Sequence, residues 1–196
     1  MPYPFVQKVV RIGARRLATL EGVQLNPTLI IDTAISILDS YGLADVTMRR
    51  IARSLEVAPG ALYWHFPNKQ ALLAEMGEAI VAPALSPAEP TEMALAVREA
   101  LTSHTDGAEL VGASESLGER IADTLAAAID APEPWAKLGG RTLAQFIIGS
   151  TYVAQSAARL GALTGEGEVK EELHDAEFRR SIQVILSGLA TEQRLG

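Results

Sequence analysis

Apolar residues in this chain recur at steps of three and four, and no alternation of period two lasts more than a few residues. Steps of three and four keep side chains on one face of an α-helix, whereas a strand needs period two. Near the C-terminus, for example, Phe178, Ile182, Ile185 and Leu189 follow one another at steps of four, three and four. Two-residue β-hairpin turns joining alternating runs are absent as well. The chain is therefore expected to be all-α, with about nine or ten helices.

Capping residues divide it. Asn26-Pro27 suits the start of a helix that runs to about Tyr41, with Gly42 just past its end. Thr47 caps a short helix, Glu56-Val57 makes a turn, and Pro59 opens a second short helix. Asn68 caps a helix from Lys69 to about Ala82. Pro83, Pro87 and Pro90 mark a boundary. Beyond it, Thr91 opens a helix to about Ser103, and a looser stretch holds Gly107 and Gly112. Ser114 or Ser116 caps a helix ending near Asp130. Pro132 and Pro134 then lead into a long helix expected to close at Gly161, with a bend or break at Gly139-Gly140. After a polar loop, the last helix covers about Glu172 to Glu192.

At 196 residues, 48% of them hydrophobic, the chain has material for one large or two small cored domains. It has no cysteine, which suits a reducing compartment. The first 25 residues interleave basic and apolar side chains without a signal-peptide pattern, and the apolar stretch Leu143 to Leu160 is interrupted by polar residues. The expectation is a soluble cytoplasmic protein with no membrane partner. The net charge of −7 is unevenly spread: residues 1–70 carry eight Lys/Arg against five Asp/Glu, and residues 71–196 carry nine against nineteen. Affinity for DNA depends on basic charge near the phosphates rather than on the total.

Residues 47–69 carry the strongest functional signal. Ile51, Ala52 and Leu55 share one helical face, and Arg49, Arg50 and Arg53 fall on others. The second helix is too short to be stable alone, so its neighbours must hold it. Small residues at its tip and Tyr63-Trp64-His65 behind suit a helix that enters a DNA major groove. From the residues alone, Tyr63 and Trp64 could equally be core aromatics, and Arg50 and Arg53 solvated charges.

Thr47-x-Arg49-x-Ile51-Ala52, followed by Leu62-Tyr63-Trp64-His65-Phe66-x-Asn68-Lys69 and Ala71-Leu72-Leu73, resembles the TetR family of one-component transcriptional repressors, in particular its tetracycline-repressor branch. The resemblance is clear over about residues 28–75, with a weaker echo at Leu101-Thr102-Ser103-His104-Thr105-Asp106-Gly107-Ala108. It implies a basic N-terminal arm over residues 1–26, a helix-turn-helix DNA-binding domain over 27–82, and a ligand-binding and dimerisation domain over 83–196.

On that resemblance, Pro59, Gly60 and Ala61 face the bases, offering close approach and apolar contact. Arg49 reaches a guanine, with Met48 beside it. Tyr63, Trp64 and His65 hold phosphates and sugars. Thr47 bonds a phosphate, and Lys69 grips another at its helix start. Arg15 and Arg16 suit an arm in the minor groove, or else belong to a self-packing extension. The turn residue often filled by glycine is Glu56, at a cost of about 1 kcal/mol in the left-handed conformation.

The resemblance also implies a homodimer through the last two long helices, with Phe146, Ile147, Ser150, Ala154, Phe178, Ile182, Ile185 and Leu189 at the interface. The alternative is that these stripes face their own subunit's core. For the ligand, the echo aligns Met93, Val111, Leu85 and Val153 with polar drug- and metal-binding positions of the tetracycline repressors and Val97 with a Phe, and puts Ser114 and Glu115 where Thr and Arg would sit. Metal chelation needs oxygen or imidazole donors, so no tetracycline–magnesium binding, no metal site and no cofactor are expected. A small hydrophobic effector would be lined by Met93, Val97, Leu101, Val111, Ser114, Leu125, Trp135 and Phe146, although each could be plain core. His65, His104 and His174 are far apart in sequence, and neither a phosphate-cradling loop nor a nucleophile elbow occurs, so no enzyme is expected. The function implied is a repressor that binds a palindromic operator as a dimer and releases it on binding the effector. An activator of the same fold and a helical adaptor that does not bind DNA are the alternatives.

Overall fold

The computed structural model describes residues 25–164 and 171–195, and these contain nine α-helices, two short 3-10 turns and no strand. Residues 1–24 of the N-terminal arm, Arg15 and Arg16 included, lie outside the described residues.

The first helix, α1 (Pro27–Tyr41), starts where Asn26 accepts the Leu29 amide proton at 2.9 Å. It ends at Gly42, whose φ of 85° with ψ of 171° is open only to glycine. A 3-10 turn, Leu43–Asp45, leads to α2 (Met48–Ser54), capped by the Thr47 hydroxyl, which accepts from Arg50 N at 3.1 Å. Glu56 takes the left-handed turn expected of it, at φ 55°. The next helix, α3 (Pro59–Tyr63), has only five residues, and Pro59 opens it. Asn68 then caps α4 (Lys69–Val81), accepting from Ala71 N at 2.8 Å. Ile30, Leu38, Ile51, Leu62, Leu72 and Met76 are fully buried where these four helices meet, and that core holds the stub α3 in place.

After a 3-10 turn at Ala82–Leu85 come α5 (Pro90–Thr102), α6 (Gly107–Gly112), α7 (Glu115–Ala128), α8 (Glu133–Thr164) and α9 (Glu171–Leu195). The long α8 is the axis of this half. It packs most extensively on α7, and also on α5, α6 and α9.

Two expectations about α8 are corrected. It is one continuous helix through Gly139-Gly140 and runs past Gly161 to Thr164. The glycine pair permits close approach instead of breaking the helix. A Cβ on Gly140 would lie 2.3 Å from the Ala122 carbonyl oxygen of α7, and one on Gly139 would lie 2.6 Å from Leu189 Cδ2 of α9. Both glycines are buried, so tertiary packing outweighs a helix-propensity cost of about 1 kcal/mol each.

Candidate nucleic-acid interface

The turn between α2 and α3 leaves one open face. Thr47, Arg49, Pro59, Gly60, Tyr63 and Trp64 are exposed there, and Ala61, His65 and Lys69 are half-buried. Trp64 is 90% exposed and Tyr63 51%. Two adjacent exposed aromatics beside an exposed arginine form a candidate contact surface. The residues between them and the core explain the geometry. Leu62 (0% exposed) and Phe66 (4%) turn inward and pin the stub helix, so Tyr63, Trp64 and the tip at Pro59–Ala61 point outward. A Cβ on Gly60 would meet nothing within 4 Å. The chain's own packing therefore does not require glycine there.

Met48 departs from the expected DNA contacts. It is 8% exposed and belongs to the core, because the first turn of α2 needs an apolar anchor toward α1. Its neighbour Arg49 is the exposed one.

Sequence reasoning missed how Arg50 is held. Its guanidinium lies over the Tyr41 ring, 3.9 Å from the centroid, and pairs with the Asp45 carboxylate. These three residues, with Ile37, Thr47, Arg49, Arg53 and Ser54, line an open cleft of about 490 Å³. Three arginines thus border the open face.

The echo segment at 101–108 turns out to join the two halves of the chain. Asp39, near the end of α1, accepts from the Thr105 amide at 3.2 Å and lies 3.1 Å from the His104 ring Nδ1. The Thr105 hydroxyl donates to the Asp39 carbonyl at 3.1 Å. In the opposite direction Asp106, 7% exposed and left-handed at φ 56°, accepts from Leu43 N at 2.9 Å and pairs with Arg159 of α8. Gln155 of α8 donates to the carbonyls of Leu101 and His104 and accepts from Ala108 N. Two carboxylates therefore grip in opposite directions across the junction, and α8 braces the loop between them.

The expected effector-lining residues are placed as follows. Met93, Val97 and Leu101 on α5, Val111 on α6 and Leu125 on α7 are buried in one continuous core. Phe146 is half-buried and stacks on Phe178 at 5.3 Å, with Arg98 over the Phe178 ring. Trp135 is half-buried on the same helix, but about three turns from Phe146 at 1.5 Å per residue. Ser114 sits at the α6–α7 connection with its hydroxyl 3.1 Å from that of Ser116. The structure brings the α5 and α6 residues together and leaves Trp135 at the far end. Among the described residues, no three His, Asp or Glu side chains gather in a way that could hold a metal ion.

The expected interface residues divide in two. Ile147, Phe178 and Ile182 are buried within their own subunit, so their apolar area is already covered. Ile185 and Leu189 pack partly inward, and Ser150 bonds back to Phe146 O at 2.6 Å. Among the described residues, the exposed large apolar side chains here are Leu138, Tyr152, Val153 and Leu160 of α8 and Val184 of α9. Among the described residues, no helix is long and apolar enough to cross a membrane.

Comparison with known proteins bears on this geometry. A family model described as bacterial regulatory proteins, tetR family, matches residues 30–76. The tetracycline repressor protein class E of Escherichia coli is 40% identical over 91 residues, which is 41% of this chain and 43% of that protein. The probable acrEF/envCD operon repressor of Escherichia coli strain K12 is 43% identical over 47 residues, covering 24% of this chain and 21% of that one. The chain thus matches less than half the length of these curated relatives. Solved structures extend the likeness. Mycobacterium smegmatis BioQ is 37% identical, covering 86% of this chain and 99% of its own, with a TM-score of 0.75. A structure of BioQ with its natural double-stranded DNA operator is 35% identical, covering 85% and 99%, with a TM-score of 0.66.

Proposed function

Because the chain belongs to the TetR family of bacterial regulatory proteins, which are DNA-binding regulators and not enzymes, we propose that it is a cytoplasmic repressor. It binds a palindromic operator as a homodimer and releases it when a small hydrophobic effector binds the α5–α9 half. The observation that carries this reading is the outward face of α3, where Tyr63 and Trp64 stand open beside Arg49 and the unobstructed Gly60.

On this reading residues 27–82 form the DNA-binding domain and residues 83–196 the effector and dimerisation domain. Pro59, Gly60 and Ala61 approach the bases and Arg49 reads a guanine in the major groove. Thr47, Tyr63, Trp64, His65 and Lys69 hold the sugar-phosphate backbone and fix the register of the helix. Arg50 is held at the rim by Tyr41 and Asp45. One such stub helix covers few base pairs, so specific binding needs two half-sites and a two-fold partner.

The partner is a second copy meeting α8 and α9. Gly149, Val153 and Leu160 are exposed at steps of four and seven on α8, and Val184 and Gly188 at a step of four on α9. A Cβ on Gly149 or Gly188 would meet nothing, so both leave room for a facing helix. This moves the expected interface from Ile147, Phe178 and Ile182 to the exposed stripes beside them. The BioQ–operator structure supports the DNA half of the proposal.

Selection of bound sequences from random duplex DNA tests it. The expected product is an inverted repeat whose guanine preference weakens in Arg49→Ala. Recovery of no common sequence would contradict the proposal.

A further inference from the structure

We propose that the Thr151 hydroxyl is the polar anchor of an effector subsite that takes an uncharged, mostly apolar molecule bearing one hydrogen-bond acceptor, such as a ketone. The inference rests on the effector reading above and names where that effector would be recognised.

Thr151 is fully buried, and its hydroxyl has no hydrogen-bond partner among the described residues. Helical threonines usually bond back to the carbonyl one turn earlier, and others in this chain do. Thr33 donates to Leu29 O at 2.7 Å, Thr124 to Arg120 O at 2.8 Å, Thr142 to Leu138 O at 2.8 Å, and Thr191 to Ser187 O at 2.9 Å. Among the described residues, Thr151 is the buried threonine, and its hydroxyl makes no such bond. Buried polar atoms are otherwise almost always paired.

Its neighbours on α8 show what it faces. Three residues earlier, Ile148 lies against Gly112 at the end of α6. Four residues later, Gln155 bonds the end of α5 and the start of α6. Thr151 lies between them on the same side of α8, so its face is turned to the α5–α6 corner. Leu101, Ala108 and Val111 are buried in that corner.

These surroundings set the ligand's chemistry. Among the described residues the buried polar or charged side chains are Thr151 and Asp106, and Asp106 is already paired with Arg159 and Leu43 N. A charged ligand would find no countercharge and would be costly to desolvate. An apolar body with one acceptor satisfies the orphan hydroxyl and nothing else. One turn along α8, Gln155 holds the same loop that grips Asp39 and Leu43, which places the subsite beside the junction to α1.

The test uses the full-length protein, Thr151→Val and Thr151→Ser, with acetophenone and ethylbenzene as probes of matched shape that differ in the carbonyl. Calorimetric titration gives the ratio of the two dissociation constants in each variant. Thr151→Val is expected to shift that ratio at least about fivefold toward ethylbenzene. Thr151→Ser should keep the wild-type ratio, and melting of Thr151→Val should show an undiminished midpoint. An unchanged ratio in Thr151→Val, or no binding of either probe to the wild type, overturns the subsite. Operator binding measured with acetophenone present reads the release proposal separately, since binding without release leaves the subsite intact and counts against release.

Discussion

The Asp106 carboxylate accepts the Leu43 amide proton at 2.9 Å, from a residue 63 positions away, and a Cβ on the adjacent Gly42 would lie 2.9 Å from that same carboxylate oxygen. Gly42 is thus fixed by its backbone angles and by the carboxylate that closes over it. Gly42→Ala is expected to cost about 2–3 kcal/mol, combining an angle region nearly closed to other residues with the steric clash. Asp106→Ala is expected to cost about 1–3 kcal/mol, mainly through the abandoned Leu43 amide. The half-exposed Arg159 partner adds little. Urea denaturation of the two variants checks both values.

Gly60 makes the opposite case. Nothing in the chain lies near its missing side chain, so Gly60→Ala should melt at or slightly above the wild-type temperature. Its operator affinity should fall by about tenfold or more, because the recognition tip can no longer approach the bases closely. A loss of stability would move Gly60 from the DNA face to the core.

Arg49 and Lys69 should fail in different ways. Arg49→Ala is expected to lose about 1–3 kcal/mol on the operator and to relax preference at one position of each half-site. Lys69→Ala should weaken all duplexes evenly and lower the salt slope by about one for each phosphate no longer neutralised. Fluorescence anisotropy on operator and scrambled duplexes separates the two patterns.

Gly140 reports on the α7–α8 packing. Gly140→Ala would set a methyl 2.3 Å from the Ala122 carbonyl and 2.7 Å from Ala126 N, and backbone atoms cannot yield as a side chain can. Overpacking of about 3 kcal/mol should exceed the roughly 1 kcal/mol gained in helix propensity. The net destabilisation should lower the melting temperature by about 4–8 °C.

Val153 and Val184 test the partner surface. Val153→Arg and Val184→Arg, on exposed stripes of α8 and α9, should leave far-ultraviolet circular dichroism unchanged. Sedimentation should show a monomer, and operator affinity should fall by at least about a hundredfold as two-site binding disappears. A dimer that persists in both variants would place the interface elsewhere.

Local signals were the legible ones. Asn26, Thr47 and Asn68 cap the helices they were expected to cap, and Gly42, Glu56 and Pro59 sit in their turns. Each of these features is decided within four residues of chain. The break offered at Gly139-Gly140 does not occur, because a glycine's intrinsic cost is visible in sequence, whereas the helices it lets approach are not. The grip of Asp39 on Thr105 and of Asp106 on Leu43 spans 66 and 63 positions, so the echo at 101–108 could be noticed but its work could not. Apolar stripes carry the same ambiguity. Periodicity marks Phe178 and Ile182 as one face of α9, but it does not say whether that face meets its own core or a second chain.

On the proposed function, the open face around Trp64 binds duplex DNA with sequence preference. The most direct measurement is the association constant for a palindromic duplex from the selection, compared with a scrambled duplex, across a salt series. Tight palindrome binding by two subunits is expected, with a preference of about a thousandfold or more over the scrambled duplex and a steep fall of affinity with salt. Equal affinity for both duplexes, or an affinity indifferent to salt, would contradict it.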